Sequence, residues 1–157
     1  MSRTYEIMLL ADNNAVRAGW KEVKAHFAGL VEKHGGKVLT SRRWDERKLT
    51  YPIRQRRRAT YLLAYCELSG DGVANLRREL DINEILLRYL LLRAESVPAQ
   101  EYELTQAEAA AGFQVPEPPP DDARIEEEEE VEEPEVEAAS DVDAEEPVGA
   151  ATEREES

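Results

Sequence analysis

The stretch ATYLLAYCEL at residues 59–68 decides the fold. Taken by twos, it places Leu62, Ala64, Cys66 and Leu68 on one side and Tyr61, Leu63 and Tyr65 on the other. Side chains alternate across a pleated strand, so both faces here are apolar, which suits a central strand with neighbours on either hand. Gly70-Asp71-Gly72 breaks the strand. A short helix follows with Val73, Leu76 and Leu80 as its apolar stripe, and residues 85–93 read as a last strand.

Upstream, residues 38–53 form a long, polar, arginine-rich strand. Pro52 offers no ladder donor, so this strand belongs at a sheet edge, and residues 54–58 make a basic turn out of it. Before it, Val16, Trp20, Val23, Phe27 and Leu30 recur at spacings of four and three, which predicts one amphipathic helix. Asp12-Asn13-Asn14 can cap its start, and His34-Gly35-Gly36 ends it with a glycine for the left-handed position. Residues 5–11 alternate Tyr5, Ile7 and Leu9 with Glu6, Met8 and Leu10, a second central strand. The order βαββαβ with right-handed crossovers predicts an α+β, ferredoxin-like fold: a four-stranded antiparallel sheet with two helices on one face. The other face is left open, with Glu6, Met8, Leu10, Tyr61, Leu63 and Tyr65 on it. So much apolar area marks a docking surface for a protein partner. Base stacking on Tyr61 and Tyr65 is the alternative use, but the aliphatic Met8, Leu10 and Leu63 suit a protein better.

The formal net charge of −14 averages two unlike segments. Residues 1–97 hold 18 Lys+Arg against 12 Asp+Glu, about +6, and residues 98–157 hold 2 against 22, about −20. A basic body that meets polyanions thus precedes an acidic tail. The tail carries most of the prolines and the acids at 126–130, and such a composition predicts disorder, with a transient helix over residues 101–111. The domain boundary is placed at 97/98. Opposite charges would also let the tail fold back on the basic edge and screen it.

Trp44-Asp45-Glu46-Arg47-Lys48-Leu49-Thr50-Tyr51-Pro52-Ile53-Arg54 resembles the signature of the bacterial small-subunit ribosomal protein six family. Asn83-Glu84-Ile85-Leu86-Leu87-Arg88-Tyr89-Leu90 is similar to that family's last-strand pattern, and Arg3-Thr4-Tyr5-Glu6 to its opening strand. Asp45 replaces the family's usual Gly and Thr50 its usual Ala or Ser. The resemblance implies a structural constituent of the small ribosomal subunit in the cytoplasm. It would bind the central domain of small-subunit ribosomal RNA together with the neighbouring small-subunit ribosomal protein eighteen. Arg3, Arg42, Arg43, Arg47, Lys48, Arg54, Arg56, Arg57, Arg58, Arg88 and Arg93 are the candidate phosphate contacts, since guanidinium groups bind phosphate oxygens two at a time. The plainer use of such arginines is a charged edge that discourages strand addition.

Other chemistries find little support. A lone Cys66 makes no intrachain disulfide and no cysteine-based zinc cage, and it fits the core as a small hydrophobe in a reducing compartment. His26 and His34 lie on the first helix without metal-ligand spacing and read as structural. The loop Asp12-Asn13-Asn14 lacks the arginine or glycine-rich cradle of a phosphatase on this fold, so neither enzyme activity, cofactor nor small-molecule substrate is expected. The apolar runs at 7–11 and 85–92 are too short to span a membrane. The rival function is a free-standing RNA-binding regulator on the same fold.

Overall fold

A computed structural model describes residues 1–121, all within one compact unit. Its elements are β1 (Ser2–Asp12), α1 (Asn13–Ala18), α2 (Trp20–Lys33), β2 (Lys37–Ile53), β3 (Arg56–Ser69), α3 (Gly70–Asp81), β4 (Leu86–Arg93) and α4 (Ala99–Ala109). The strands form one antiparallel sheet in the order β2-β3-β1-β4, the ferredoxin-like arrangement expected. β1 and β3 lie at the centre and β2 at an edge, as their apolar patterns require.

Ile7, Leu9 and Ala11 of β1 and Leu62, Ala64, Cys66 and Leu68 of β3 meet Val23, Phe27 and Val31 of α2 and Leu76 and Leu80 of α3 in a single core. Here the apolar stripes of both helices seal one face of the sheet. α2 ends in a Schellman motif: Gly36 N–H donates to the Val31 carbonyl and Gly35 N–H to that of Glu32, with Gly35 at φ 72°. The first turn of α3 is capped by Ser69 Oγ, which accepts from Gly72 N–H at 3.0 Å. A side chain at Gly72 would stand 2.8 Å from the His34 carbonyl oxygen, so glycine is needed for this close approach.

Three expectations are corrected. The single helix of residues 16–30 is two helices, because Gly19 interrupts it in an extended conformation and glycine is a poor helix former. The turn after β2 is only Arg54-Gln55, both at positive φ, and Arg56 already belongs to β3. Such a pair closes a two-residue hairpin whose twist matches its strands. Finally, residues 98–121 are not a free tail. α4 packs on β2, and the chain beyond it lies along α1, where Arg17 donates to the carbonyls of Pro118 and Pro119 and Val115 joins the core margin. The remainder of the expected disordered tail, with the acids at 126–130, lies outside the described residues.

Candidate nucleic-acid interface

Strand register sorts the eleven candidate phosphate contacts into three places. Arg58 pairs with Lys48 and Ala59 with Arg47 on β2, and Arg88 of β4 lies opposite Leu10. Together with the turn at Arg54, these residues and Arg56 and Arg57 gather at the hairpin end of the sheet. Arg42 and Arg43 stand in mid-sheet, opposite Leu63 and Leu62. Arg3, opposite Leu68, and Arg93, opposite Tyr5, occupy the far end, about 30 Å from Arg58 at strand rise.

Several of these cations are already engaged within the chain. Arg58 meets Glu46 in a two-bond fork, Nε to Oε1 and Nη2 to Oε2, both at 2.9 Å, with side chains 13% and 7% exposed. Glu46 also accepts from Asn13 Nδ2 at 3.1 Å, and Asn13 Oδ1 accepts from the buried Thr60 hydroxyl at 2.8 Å. Hydrogen bonding to Glu46 holds the Arg58 proton more tightly than usual. Arg56 pairs with Asp12 at 3.1 Å. Arg42 forks onto Glu101 of α4 at 2.6 and 2.8 Å, which raises its pKa likewise. Arg47 pairs with Asp45 at 2.6 Å and lowers the Asp45 pKa, so Asp45 is tied to one of the candidate phosphate contacts. Arg54 donates to the carbonyl of Asp81, the last residue of α3, and to that of Asn83 just beyond it. Lys48 and Arg57 have exposed side chains and no side-chain partner among the described residues.

Aromatic rings interleave with these charges. The Arg47 guanidinium lies 5.1 Å from the Trp44 ring centre, and Trp44 meets Tyr61 edge-on at 5.7 Å. The Arg88 guanidinium lies 5.4 Å from the Tyr51 ring centre and donates to its hydroxyl. Residues 49–53 curl onto the open face, where Leu49 and Ile53 close a second small core with Leu10, Ala59 and Leu87. This cluster holds the hairpin tip in place and so positions the charges upon it.

The expected partner face divides. Leu63 and Tyr65 are 7% and 5% exposed, beside the Arg42–Glu101 pair that α4 brings over this half of the sheet. The Tyr65 hydroxyl donates to Glu6, and burial, followed by this bond, pushes its pKa up to about 12. Neither side chain is free to dock a partner or stack on a base in this state. Met8, Leu10 and Tyr61 stay half-buried. Leu90 and Leu92, 56% and 49% exposed, extend the open half beside Met8 and Glu6. The sequence reading missed both, although their alternation with Arg88 on one strand carried the signal. It also missed Trp44 and Tyr51 as surface aromatics.

The remaining candidates are structural. His26 Nε2 lies 2.8 Å from Asn83 Nδ2, and His34 pairs with Glu79 at 3.1 Å. Lys33 and His34 together hold the Glu79 carboxyl below its usual range. Burial pushes the Cys66 thiol up to about 12. No group of three or more metal-ligating side chains occurs among the described residues. None of their helices is long and apolar enough to cross a membrane.

Comparison with known proteins agrees with the pattern of the hairpin and last strand. The sequence model of the family Ribosomal protein S6 matches residues 4–93. The small ribosomal subunit protein bS6 of Bartonella tribocorum is 36% identical over 91 residues, which cover 58% of this chain and 67% of that one. That of Fusobacterium nucleatum is 29% identical over 93 residues, 59% of this chain and 99% of that one, so the matched domain is nearly the whole of that protein. A crystal structure of 30S ribosomal protein S6 from Thermotoga maritima aligns with 69% of this chain and 96% of that one, at TM-score 0.47 and 20% identity. With its matched domain spanning all four strands of the sheet, this chain belongs to the ribosomal protein S6 family.

Proposed function

We propose that this protein works as a structural, non-enzymatic component of the small ribosomal subunit in the cytoplasm. In this reading it binds the central domain of small-subunit ribosomal RNA with the hairpin end of its sheet and docks ribosomal protein eighteen on the open half of its face. The observation that carries the reading is the convergence of Arg47, Lys48, Arg54, Arg57 and Arg88 with Trp44 and Tyr51 at one end of the sheet. Cations fix the register on phosphates, while aromatic rings offer faces to unpaired bases. Lys48 and Arg57 make the phosphate contacts that carry most of the salt dependence, because their side chains are exposed and need break no ion pair among the described residues. Met8, Leu10, Leu90 and Leu92 supply the apolar contact for the protein neighbour.

Filter binding of the full chain to a central-domain RNA fragment over a range of salt tests this. Replacing Lys48 or Arg57 with alanine should lower the slope of log affinity against log salt by about 0.7–0.9 each. Unchanged slopes for both would place the RNA elsewhere.

A further inference from the structure

Residues 98–121 carry five acids and no Lys or Arg, and three of those acids sit on the basic side of the sheet. Glu101 binds the Arg42 guanidinium through both oxygens. Glu108 lies two turns further along the same stripe of α4; it accepts from Trp20 Nε1 at 2.7 Å, Lys24 Nζ at 2.9 Å and the Arg43 amide at 2.6 Å. Asp121 accepts from the successive amides of Arg57 and Arg58 at 2.8–2.9 Å. A forked guanidinium, an ammonium beside an unpaired edge amide, and two adjacent amides are all groups that take phosphate oxygens as readily as carboxylate oxygens.

What holds α4 and Asp121 down is mainly charge, while Arg17 holds the chain between them by the Pro118 and Pro119 carbonyls. The stripe of α4 that faces the sheet is Glu101, Thr105 and Glu108, while Tyr102, Leu104 and Phe113 are exposed; the apolar burial of the segment is limited to Val115 at the core margin and Pro118 beside Arg17. An attachment made by ion pairs is one that a polyanion can displace, whereas one made by buried aliphatic area is not. We propose that residues 98–121 form a removable cover on the β2 edge, whose carboxylates compete with RNA phosphates for Arg42, the Arg43 amide, Lys24 and the amides of Arg57 and Arg58. This rests on the RNA-binding reading above. It adds that the mid-sheet groups join the interface only when the cover lifts, and that Leu63 and Tyr65 become exposed with them. Weak or short polyanions are then rejected, because they cannot displace all three carboxylates together.

Two measurements on the full chain test the cover. In hydrogen exchange, saturating central-domain RNA should raise the exchange of residues 99–109 at least tenfold while β1 and β3 stay protected; α4 protection that persists with RNA bound overturns the proposal. In RNA binding, the triple variant Glu101→Gln, Glu108→Gln, Asp121→Asn is compared with Glu95→Gln, Glu103→Gln, Glu117→Gln, which changes charge equally at exposed acids that make no ion pair among the described residues. A cover docked nine-tenths of the time withholds its site about tenfold, so the first variant should bind about tenfold tighter and the second within twofold of the original. Equal tightening by both, or by neither, overturns the cover. Failure of all three proteins to bind RNA would instead overturn the RNA-binding reading together with it.

Discussion

Arg58 separates an arginine that builds the fold from one that touches RNA, and Arg58→Met tests which it is. Both its guanidinium bonds go to Glu46, and the two side chains are 13% and 7% exposed. Methionine keeps the stem but leaves the Glu46 carboxylate with Asn13 as its one remaining side-chain donor among the described residues. Removing one partner of a buried pair costs about 3–5 kcal/mol because the other charge stays uncompensated. The residual exposure argues for the lower value, about 3 kcal/mol. For a domain of this size each kcal/mol moves the midpoint by roughly 3–5 °C, so Tm should fall by about 10–15 °C in circular dichroism at 222 nm. The double variant Glu46→Leu, Arg58→Met removes both charges and should recover most of that loss. At 20 °C the folded single variant should keep the salt slope of RNA binding, since the Arg58 guanidinium is held by Glu46 and reaches no phosphate. A Tm within 3 °C of the original together with a slope lowered by about one unit would refute the structural assignment.

Three further outcomes follow from the same geometry. Gln55 sits at φ 65° in the hairpin turn, so Gln55→Gly should stabilise the domain by roughly 0.5–1 kcal/mol in urea unfolding, an unchanged midpoint counting against a left-handed turn there. Burial raises the Cys66 thiol from 9.0 to about 12, so the folded state holds that proton more tightly than the unfolded chain; stability is complete below pH 9 and falls as pH rises from 9 towards 12. Cys66→Ala should flatten that alkaline decline, though not abolish it, since Tyr65 shifts the same way from 10.0 to about 12. Leu90→Asp places a charge on the exposed face beside Met8, and should weaken capture of ribosomal protein eighteen at least tenfold while Tm moves by less than about 0.5 kcal/mol equivalent.

The fold was legible because its strands and helices bury aliphatic side chains at clean spacings. Leu62, Ala64, Cys66 and Leu68, or Val23 and Phe27, announce their faces one residue at a time. α4 was half-legible for the opposite reason. Its composition favours a helix, but its packed stripe is Glu101, Thr105 and Glu108, and no apolar periodicity betrays a helix that docks by charge. That is also why Leu63 and Tyr65, correctly placed on the open face, proved covered. At the candidate interface the residue types were legible but not their partners: Arg58 and Lys48 look alike in sequence, and only the register that brings Glu46 opposite Thr60 shows that one is buried in an ion pair. Arg3 and Arg93 were grouped with the rest by residue type alone, while the antiparallel register carries them to the far end of the sheet.

The central claim is tested most directly by sedimenting native lysate through sucrose gradients at low and moderate salt and detecting this protein in each fraction. Co-migration with small subunits and whole ribosomes at both salts is the predicted result. Recovery only at the top of the gradient would contradict it and would favour a free-standing RNA-binding regulator.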